Sequence, residues 1–306
     1  MTQSSLQQKN NTKVGVGIKF VFFGTSRFSV IILDELKSRG LLPSLIVTTE
    51  DKPKGRKLVL TPPEVKIWAE QNKIPYIQPK KLDNEVYLKL STFNFQLFIV
   101  ASYGKIIPEK ILQIPKYKTL NVHPSLLPKL RGASPLQSAI LGEKETGVSI
   151  MRLDKEMDHG PIVFQQKIAI MGWPPYESDL ESILGQSGGK ILANILPKWV
   201  NGEIEEIEQD HSKATFCKKI QKTDGLLNLN DSAEINLRKI KAYHIWPTAY
   251  FFDESGKRII VKKAHIEKDE LLIERVIPEG KKEMEFKDYL NGNPSSRAKL
   301  TTGQEK

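Results

Sequence analysis

The first hundred residues alternate between short apolar runs and stretches with the apolar spacing of a helix. Residues 19–24 (KFVFFG) form an apolar run that ends in glycine, and 45–48 and 95–101 are two more such runs. Between them, 31–40 and 63–72 have the pattern of helices. Strands that alternate with helices at this spacing build a parallel sheet with helices on both faces. The pattern therefore predicts a Rossmann-like α/β domain.

The glycines of this region argue against a nucleotide cofactor. Gly24 stands alone after the first predicted strand, and the sequence contains neither G-x-G-x-x-G nor a G-K-[ST] phosphate loop. Dinucleotide binding, and with it a hydride-transferring enzyme, is therefore not supported. In such sheets ligands still tend to bind at the carboxyl ends of the strands.

A second, smaller domain is expected after a change of pattern near Glu205. A helix-like stretch at 185–200 leads into an acidic link, and short strand-like segments follow at 250–252, 258–262 and 270–274. Short strands separated by turns at near-regular spacing are typical of a small β-barrel. We expect a flexible tail at 1–17, the α/β domain at 18–205, the barrel at 206–290 and a polar tail at 291–306.

Composition excludes several other classes. With 306 residues, 39% hydrophobic and 27% charged, the chain can bury a sizeable core and is not disordered as a whole. Its longest apolar runs, such as 96–101, are far shorter than the ~20 residues of a membrane helix. Cys217 is the only cysteine, which excludes internal disulfides and a cysteine-based zinc site. We expect a cytoplasmic protein.

The chain is basic, with 46 lysines and arginines against 36 acidic residues and a net charge of +10. Residues 1–205 carry +8 of this charge and residues 206–306 carry +2. An excess of this size usually reflects a solvated surface, and it also suits a phosphate-rich partner. The position of the charges is therefore more informative than their sum.

The densest group of candidate catalytic residues is Asn121-Val-His123-Pro-Ser-Leu-Leu-Pro128, followed by Arg-Gly. A predicted strand at 119–122 places Asn121 and His123 on one side, because strand side chains alternate. Acyl transfer needs an amide that stabilises an oxyanion and an imidazole that shares a proton. On these residues alone, an alternative stays open, in which Asn121 caps a turn and His123 packs near the proline.

A second candidate segment is Met157-Asp158-His159-Gly-Pro161. The Asp158 carboxylate could orient an imidazole and take up a proton from an attacking amine. The alternatives are an ordinary turn for Asp-x-Gly and an exposed loop position for His159. Because the sequence lacks helical spacing such as H-x-x-x-H, we expect no metal.

Taken together, these segments resemble the folate-dependent formyltransferases, which transfer a formyl group from 10-formyltetrahydrofolate to an amine. The resemblance rests on N-V-H-P-S-L-L-P-K-L-R-G and, about 25 residues later, M-D-H-G-P-I. It implies that Asn121, His123 and Asp158 are the catalytic residues. It also implies that two segments contact the folate: Ser125, Leu126, Leu127 and Pro128 in the loop, and Ser102, Tyr103 and Gly104 in V-A-S-Y-G.

Two further segments resemble the branch of this family whose acceptor is methionyl-tRNA. The loop at 51–66, D-K-P-K-G-R-K-L-V-L-T-P-P-E-V-K, is similar to a loop that this branch inserts at the acceptor end of the tRNA. Residues 214–225 and 240–250 resemble the start of its C-terminal OB-like barrel, which binds tRNA. Cations on such segments suit phosphates. The implied tRNA contacts are Lys52, Lys54, Arg56, Lys57, Lys218, Lys219 and Lys222.

The resemblance implies an enzyme that formylates the α-amino group of methionyl initiator tRNA, acting as a monomer away from any membrane. The acceptor alternatives are an amino-sugar nucleotide and glycinamide ribonucleotide, and a non-catalytic RNA-binding protein is the alternative of another class. The sequence departs from this branch at Pro124, where glycine is common, and at His159, where a small residue is usual. Trp246, beside a proline, is expected in the core, and the alternative is a residue that stacks on a base.

Overall fold

The computed structural model describes residues 17–55 and 58–293. The predicted tails at 1–17 and 291–306 therefore lie almost entirely outside the described residues. Within the described part of the chain, none of the helices combines the length and the apolar character that a bilayer crossing requires.

The first half of the chain alternates strands and helices, as its apolar pattern predicts. The elements are β1 (Phe20–Gly24), α1 (Arg27–Ser38), β2 (Leu45–Val47), β3 (Lys52–Lys54), β4 (Val59–Thr61), α2 (Glu64–Gln71), β5 (Tyr76–Ile77), α3 (Asn84–Thr92), β6 (Leu97–Ala101) and α4 (Glu109–Leu112). Ser26 is the N-cap residue of α1, and the helix ends just before Gly40, whose φ of +74° favours glycine.

The elements of the second half include the longest helix and the longest strand of the described residues. The elements are β7 (Thr119–His123), β8 (Arg131–Gly132), α5 (Pro135–Gly142), β9 (Thr146–Arg152), β10 (Ile162–Ile168), α6 (Glu177–Val200), β11 (Phe216–Cys217), α7 (Ala233–Ala242), β12 (Tyr250–Phe252), β13 (Arg258–Glu267), β14 (Glu270–Pro278), β15 (Met284–Glu285) and α8 (Phe286–Asn291). Short 3₁₀ helices lie at His211–Lys213 and Lys222–Gly225.

Seven strands form one sheet in the order β10-β9-β7-β6-β1-β2-β5. β1 runs parallel to β6 and β2, and β2 runs parallel to β5, whereas β9 and β10 are antiparallel. Every side chain of β1 is buried, Phe22 and Phe23 completely, because a parallel sheet is covered on both faces. The predicted fold class, α/β with a mostly parallel sheet, is confirmed.

The last strands form a second, antiparallel sheet in the order β12-β13-β14-β15. Ile240 of α7 and Tyr289 of α8 share one core with Phe251 and Ile259 of the sheet. All three short strands predicted here are present, and β13 and β14 extend further than expected. The core position expected for Trp246 is wrong, since its side chain is 48% exposed in the turn after α7.

The described residues divide into two compact units. One contains those up to Tyr103 together with 107–120 and 189–205, and the other contains 104–106, 121–188 and those from Glu206 onward. All the residues of the candidate catalytic group thus lie within the second unit. The domain bounds at 18–205 and 206–290 stay a prediction.

Candidate active site

Asn121 and His123 lie on β7, the strand predicted for them. Both are buried, with 8% and 4% of their surface exposed, and Val122 between them lies against Gly188 on the other side of the strand. The Asn121 side chain makes no hydrogen bond to the part of the chain that the structure describes. A buried amide without a protein partner is available to a ligand oxygen.

The His123 ring lies between a main-chain carbonyl and a carboxylate. Its Nε2 is 3.0 Å from the carbonyl oxygen of Leu130, and its Nδ1 is 3.7 Å from Asp158 Oδ1. Because a carbonyl only accepts hydrogen bonds, Nε2 carries a proton and donates it to Leu130. Nδ1 is therefore the ring nitrogen that faces Asp158, across a gap too wide for a direct hydrogen bond.

Both the main chain and the side chain of Asp158 are constrained. Its main chain has a φ of +51°, a left-handed conformation that is uncommon for residues other than glycine. Its Oδ2 accepts a hydrogen bond of 2.8 Å from the main-chain N–H of Gly132, which leaves Oδ1 directed to His123. Gly132 itself has a φ of +116°, and a Cβ there would lie 2.6 Å from the Cys217 carbonyl oxygen. The structure thus brings His123 and Asp158 together as the motifs predict.

The loop Ser125–Pro128, expected to contact folate, is fixed by bonds within the protein. The Ser125 hydroxyl donates to the carbonyl of Lys129 at 2.7 Å. The Leu127 N–H donates to Ser149 Oγ, and its carbonyl accepts from Gln165 Nε2. Ser125 and Leu127 are buried, whereas Leu126 and Pro128 remain partly exposed. The side chains of this loop that a ligand can reach are therefore those of Leu126 and Pro128.

The other segment expected near folate, Ser102–Gly104, begins just after β6. Ser102 and Gly104 both have positive φ angles, +46° and +79°, and both are exposed. Tyr103 is buried, and its hydroxyl lacks a partner within the described residues. Burial raises the pKa of Tyr103 to about 12, so this phenol keeps its proton at neutral pH.

The basic segment at 51–66 contains a hairpin, because β3 pairs antiparallel with β4. At its base the Asp51 carboxylate accepts hydrogen bonds from Gln78 and from Lys66, and these bonds hold the pKa of Asp51 below its usual value. Lys52 is exposed on this hairpin. Its expected companions, the side chains of Lys54, Arg56 and Lys57, lie outside what the structure describes. The other candidate tRNA contacts, Lys218, Lys219 and Lys222, are all exposed.

His159 is a partly exposed loop residue with defined contacts. Its Nδ1 is 2.7 Å from Asp154 Oδ2, and its ring stacks on that of His211, with centroids 4.1 Å apart and planes 3° apart. Around the site, among the described residues, no three acidic, histidine or cysteine side chains lie close enough together to hold a metal ion.

Sequence reasoning missed a buried residue next to Asp158. Gln209 lies in the segment interpreted as an acidic link, and it is only 5% exposed. It contacts the main chain of Asp158 and the guanidinium of Arg131, which is itself buried. An uncharged glutamine among acidic neighbours was the signal in the sequence, and it is too faint to be used without the fold.

The chain is similar to known proteins over most of its length. A family model described as "Formyl transferase" matches residues 18–195, and a second, "Formyl transferase, C-terminal domain", matches residues 219–271. The methionyl-tRNA formyltransferase of Thermotoga neapolitana is 42% identical over 246 residues, 79% of this chain and 77% of that one. The methionyl-tRNA formyltransferase of Thermodesulfovibrio yellowstonii is 37% identical over 294 residues, 89% and 95% of the two chains.

Solved structures share the fold at lower identity. A methionyl-tRNA formyltransferase from Clostridium thermocellum superposes with a TM-score of 0.57 at 17% identity, over 86% of this chain and 99% of that one. HypX from Aquifex aeolicus, solved in complex with tetrahydrofolic acid, gives a TM-score of 0.62 at 14% identity, over 89% of this chain and 46% of that one. At these identities the likeness concerns the fold.

Proposed function

The chain belongs to the formyl transferase family, and from that premise we propose that it transfers the formyl group of 10-formyltetrahydrofolate to the α-amino group of methionyl initiator tRNA. The observation that carries the proposal is the His123–Asp158 pair, which lies within the segment matched by the family. His123 shares β7 with Asn121, whose amide has no hydrogen-bond partner among the described residues. Similarity to methionyl-tRNA formyltransferases over most of both chains supports this choice of acceptor.

The residues present fit a folate donor. 10-Formyltetrahydrofolate, when bound, supplies the formyl carbon that the amine attacks. Leu126 and Pro128 offer apolar contacts, and the internal bonds of Ser125 and Leu127 fix the shape of their loop. We keep Ser102, Tyr103 and Gly104 as proposed folate contacts, since the buried Tyr103 hydroxyl has no partner in the described residues.

We assign Asn121 to the formyl oxygen. As the amine attacks, negative charge develops on that oxygen, and the Asn121 amide donates a hydrogen bond to it. The amide is buried, where such a bond is worth more than in water, and it is held on a strand. A donor of this type typically lowers the barrier by about 2.7–4 kcal/mol.

We assign the proton lost by the amine to Asp158 and His123, which pass it to N10 of the folate as the bond between N10 and the formyl carbon breaks. The Nε2 of His123 is committed to Leu130, so only Nδ1 can share a proton with the reacting groups. The Oδ2 of Asp158 is committed to Gly132, so Oδ1 accepts the proton of the amine and shares it with Nδ1. His123 Nδ1 and Asp158 Oδ1 are thus the two atoms that remain available, and they face each other at 3.7 Å.

We propose that the tRNA is held by the basic groups of the 51–66 segment and of Lys218, Lys219 and Lys222. Lys52, Lys218, Lys219 and Lys222 are exposed, and the chain has a net charge of +10. Phosphate contacts of this type position a nucleic acid without reading its bases. A cytoplasmic location follows from the proposed substrate, and the monomeric state stays a prediction.

The experiment that tests the proposal is transfer of labelled formyl from 10-formyltetrahydrofolate to methionyl initiator tRNA. Uncharged tRNA and free methionine serve as controls. We expect label on the charged tRNA alone. Transfer to an amino-sugar nucleotide or to glycinamide ribonucleotide, with none to the charged tRNA, would replace the proposed acceptor. Tight tRNA binding without any transfer would instead indicate a non-catalytic RNA-binding protein.

A further inference from the structure

Gln209 reaches the Asp158 loop from a distant part of the sequence. Two residues before it, Ile207 forms an antiparallel bridge with Ile162, with N–O distances of 2.8 and 2.9 Å in the two directions. This bridge fixes the segment against the start of β10, directly after the Asp158 loop. The exposed acidic residues around Gln209 remain in solvent while its own side chain is buried.

Both hydrogens of the Gln209 amide are used on that loop. Nε2 donates to the carbonyl of Asp158 at 3.0 Å and to the carbonyl of Gly160 at 2.7 Å. Oε1 accepts from Arg131 Nε and Nη2 at 3.2 and 2.7 Å. The orientation of the amide is unambiguous, because a reversed amide would place its oxygen against two carbonyl oxygens.

Other contacts also restrict the conformation of the Asp158 loop. Asp158 is left-handed, and a Cβ on Gly160 would lie 2.0 Å from the Arg152 carbonyl oxygen, so the loop passes very close to the end of β9. A change of the main-chain angles at Asp158 would swing its carboxylate away from both Gly132 and His123. The two carbonyls that Gln209 holds both follow the Asp158 Cα: that of Asp158 belongs to the peptide unit that sets ψ of Asp158, and that of Gly160 lies two peptide units further along the loop.

We propose that Gln209 is a positioning residue for the reaction: its amide holds the left-handed main chain of Asp158, and thereby sets the Asp158 carboxylate between the Gly132 N–H and His123 Nδ1. The inference rests on the proposed function, because it assigns the purpose of the clamp to formyl transfer. A merely structural role, as a partner for the buried Arg131 guanidinium, is the alternative that the variants must separate.

Substitutions can separate the hydrogen bonds that the Gln209 amide accepts from those that it donates. Gln209→Glu keeps an acceptor for Arg131 and loses both donors to the loop. Gln209→Met loses both functions at similar length, and Arg131 retains His211 Nδ1 as a partner at 2.8 Å. Asn236→Asp is the matched control: Asn236 is 1% exposed, lies in the same compact unit, and its Nδ2 likewise donates to two carbonyls, those of Asn228 and Asp231.

The test combines turnover with exchange of one amide. For both Gln209 variants we expect kcat to fall by ~10²-fold, the usual effect of misplacing a catalytic group by about 1 Å. The KM for 10-formyltetrahydrofolate should stay unchanged, and Asn236→Asp should keep the native kcat. Hydrogen exchange of the Gly132 amide, which donates to Asp158, should be faster in both Gln209 variants and native in the control.

The outcomes distinguish a failure of the proposed function from a failure of the positioning role of Gln209. If the native protein transfers no formyl group to methionyl-tRNA, the proposed function fails, and faster exchange at Gly132 still supports the clamp itself. If the native protein is active, the positioning role is overturned by native kcat in folded Gln209→Glu, whatever the kcat of Gln209→Met. It is also overturned if kcat falls while exchange at Gly132 keeps its native rate, or if the control loses turnover to the same extent.

Discussion

Replacing Gly132 with alanine tests how tightly the main chain beside Asp158 is held. The φ of +116° strains an alanine by about 1–3 kcal/mol. Its Cβ would lie 2.6 Å from the Cys217 carbonyl oxygen, whereas ordinary contact begins at 3.4 Å. The paired strands β8 and β11, which contain these two residues, must therefore move apart by about 0.8 Å. That shift exceeds the slack of ~0.4 Å between the present 2.8 Å bond to Asp158 and an ordinary N–H···O limit. We expect kcat to fall by ~10²-fold.

The matched control is Gly256→Ala, in the turn between β12 and β13. Gly256 has a φ of +75° and no atom within 4 Å of an added Cβ, so alanine adds strain there without a collision. Steady-state formyl transfer and urea unfolding are measured on both variants. Both should lose stability, whereas only Gly132→Ala should lose turnover. A folded Gly132→Ala protein with native kcat would refute the argument that this N–H places the carboxylate.

Three further changes test the proposed roles. Asn121→Ala should lower kcat by ~10²–10³-fold with unchanged folate binding, measured by calorimetry, since it removes one oxyanion donor; near-native turnover would contradict the assignment. Asp158→Asn should lower kcat by ~10²–10⁴-fold, the usual contribution of acid–base catalysis, with a native melting temperature. Neutralising Lys218, Lys219 and Lys222 together should reduce the slope of log K against log salt for tRNA binding by roughly 2–3, and an unchanged slope would place the phosphates elsewhere.

Complete burial makes two central strands of the large sheet easy to predict from the sequence. β1 and β6 are buried at every position, so their apolar runs are continuous and conspicuous. β10 was not predicted, because it lies at the edge of the sheet and most of its side chains, Phe164 among them, are exposed or half-buried. α6 begins at Glu177, eight residues before the predicted stretch, because acidic side chains interrupt the apolar pattern of its first turns, although Leu180 and Leu184 there are buried.

The candidate site could be predicted in its residue types and not in its geometry. The family motifs identify Asn121, His123 and Asp158, and the strand period places the first two on β7. Which nitrogen of His123 is free depends on the Leu130 carbonyl, and local sequence cannot predict a bond that a turn of unusual φ creates. The same holds for Gln209, which lies 51 residues from Asp158 along the chain.

Both partners of His123 are held by the segment that follows α6. Leu130, with a φ of +61°, donates its N–H to Thr215 Oγ1 at 2.9 Å, and β8 beyond it pairs with β11. Asp158 is held from the same segment by Gln209. Left-handed residues cost free energy unless surrounding contacts impose them. Residues 209–217 impose the left-handed conformations of both Leu130 and Asp158. This connecting segment therefore helps to fix the positions of His123 Nδ1 and Asp158 Oδ1, and it is not a passive linker between domains.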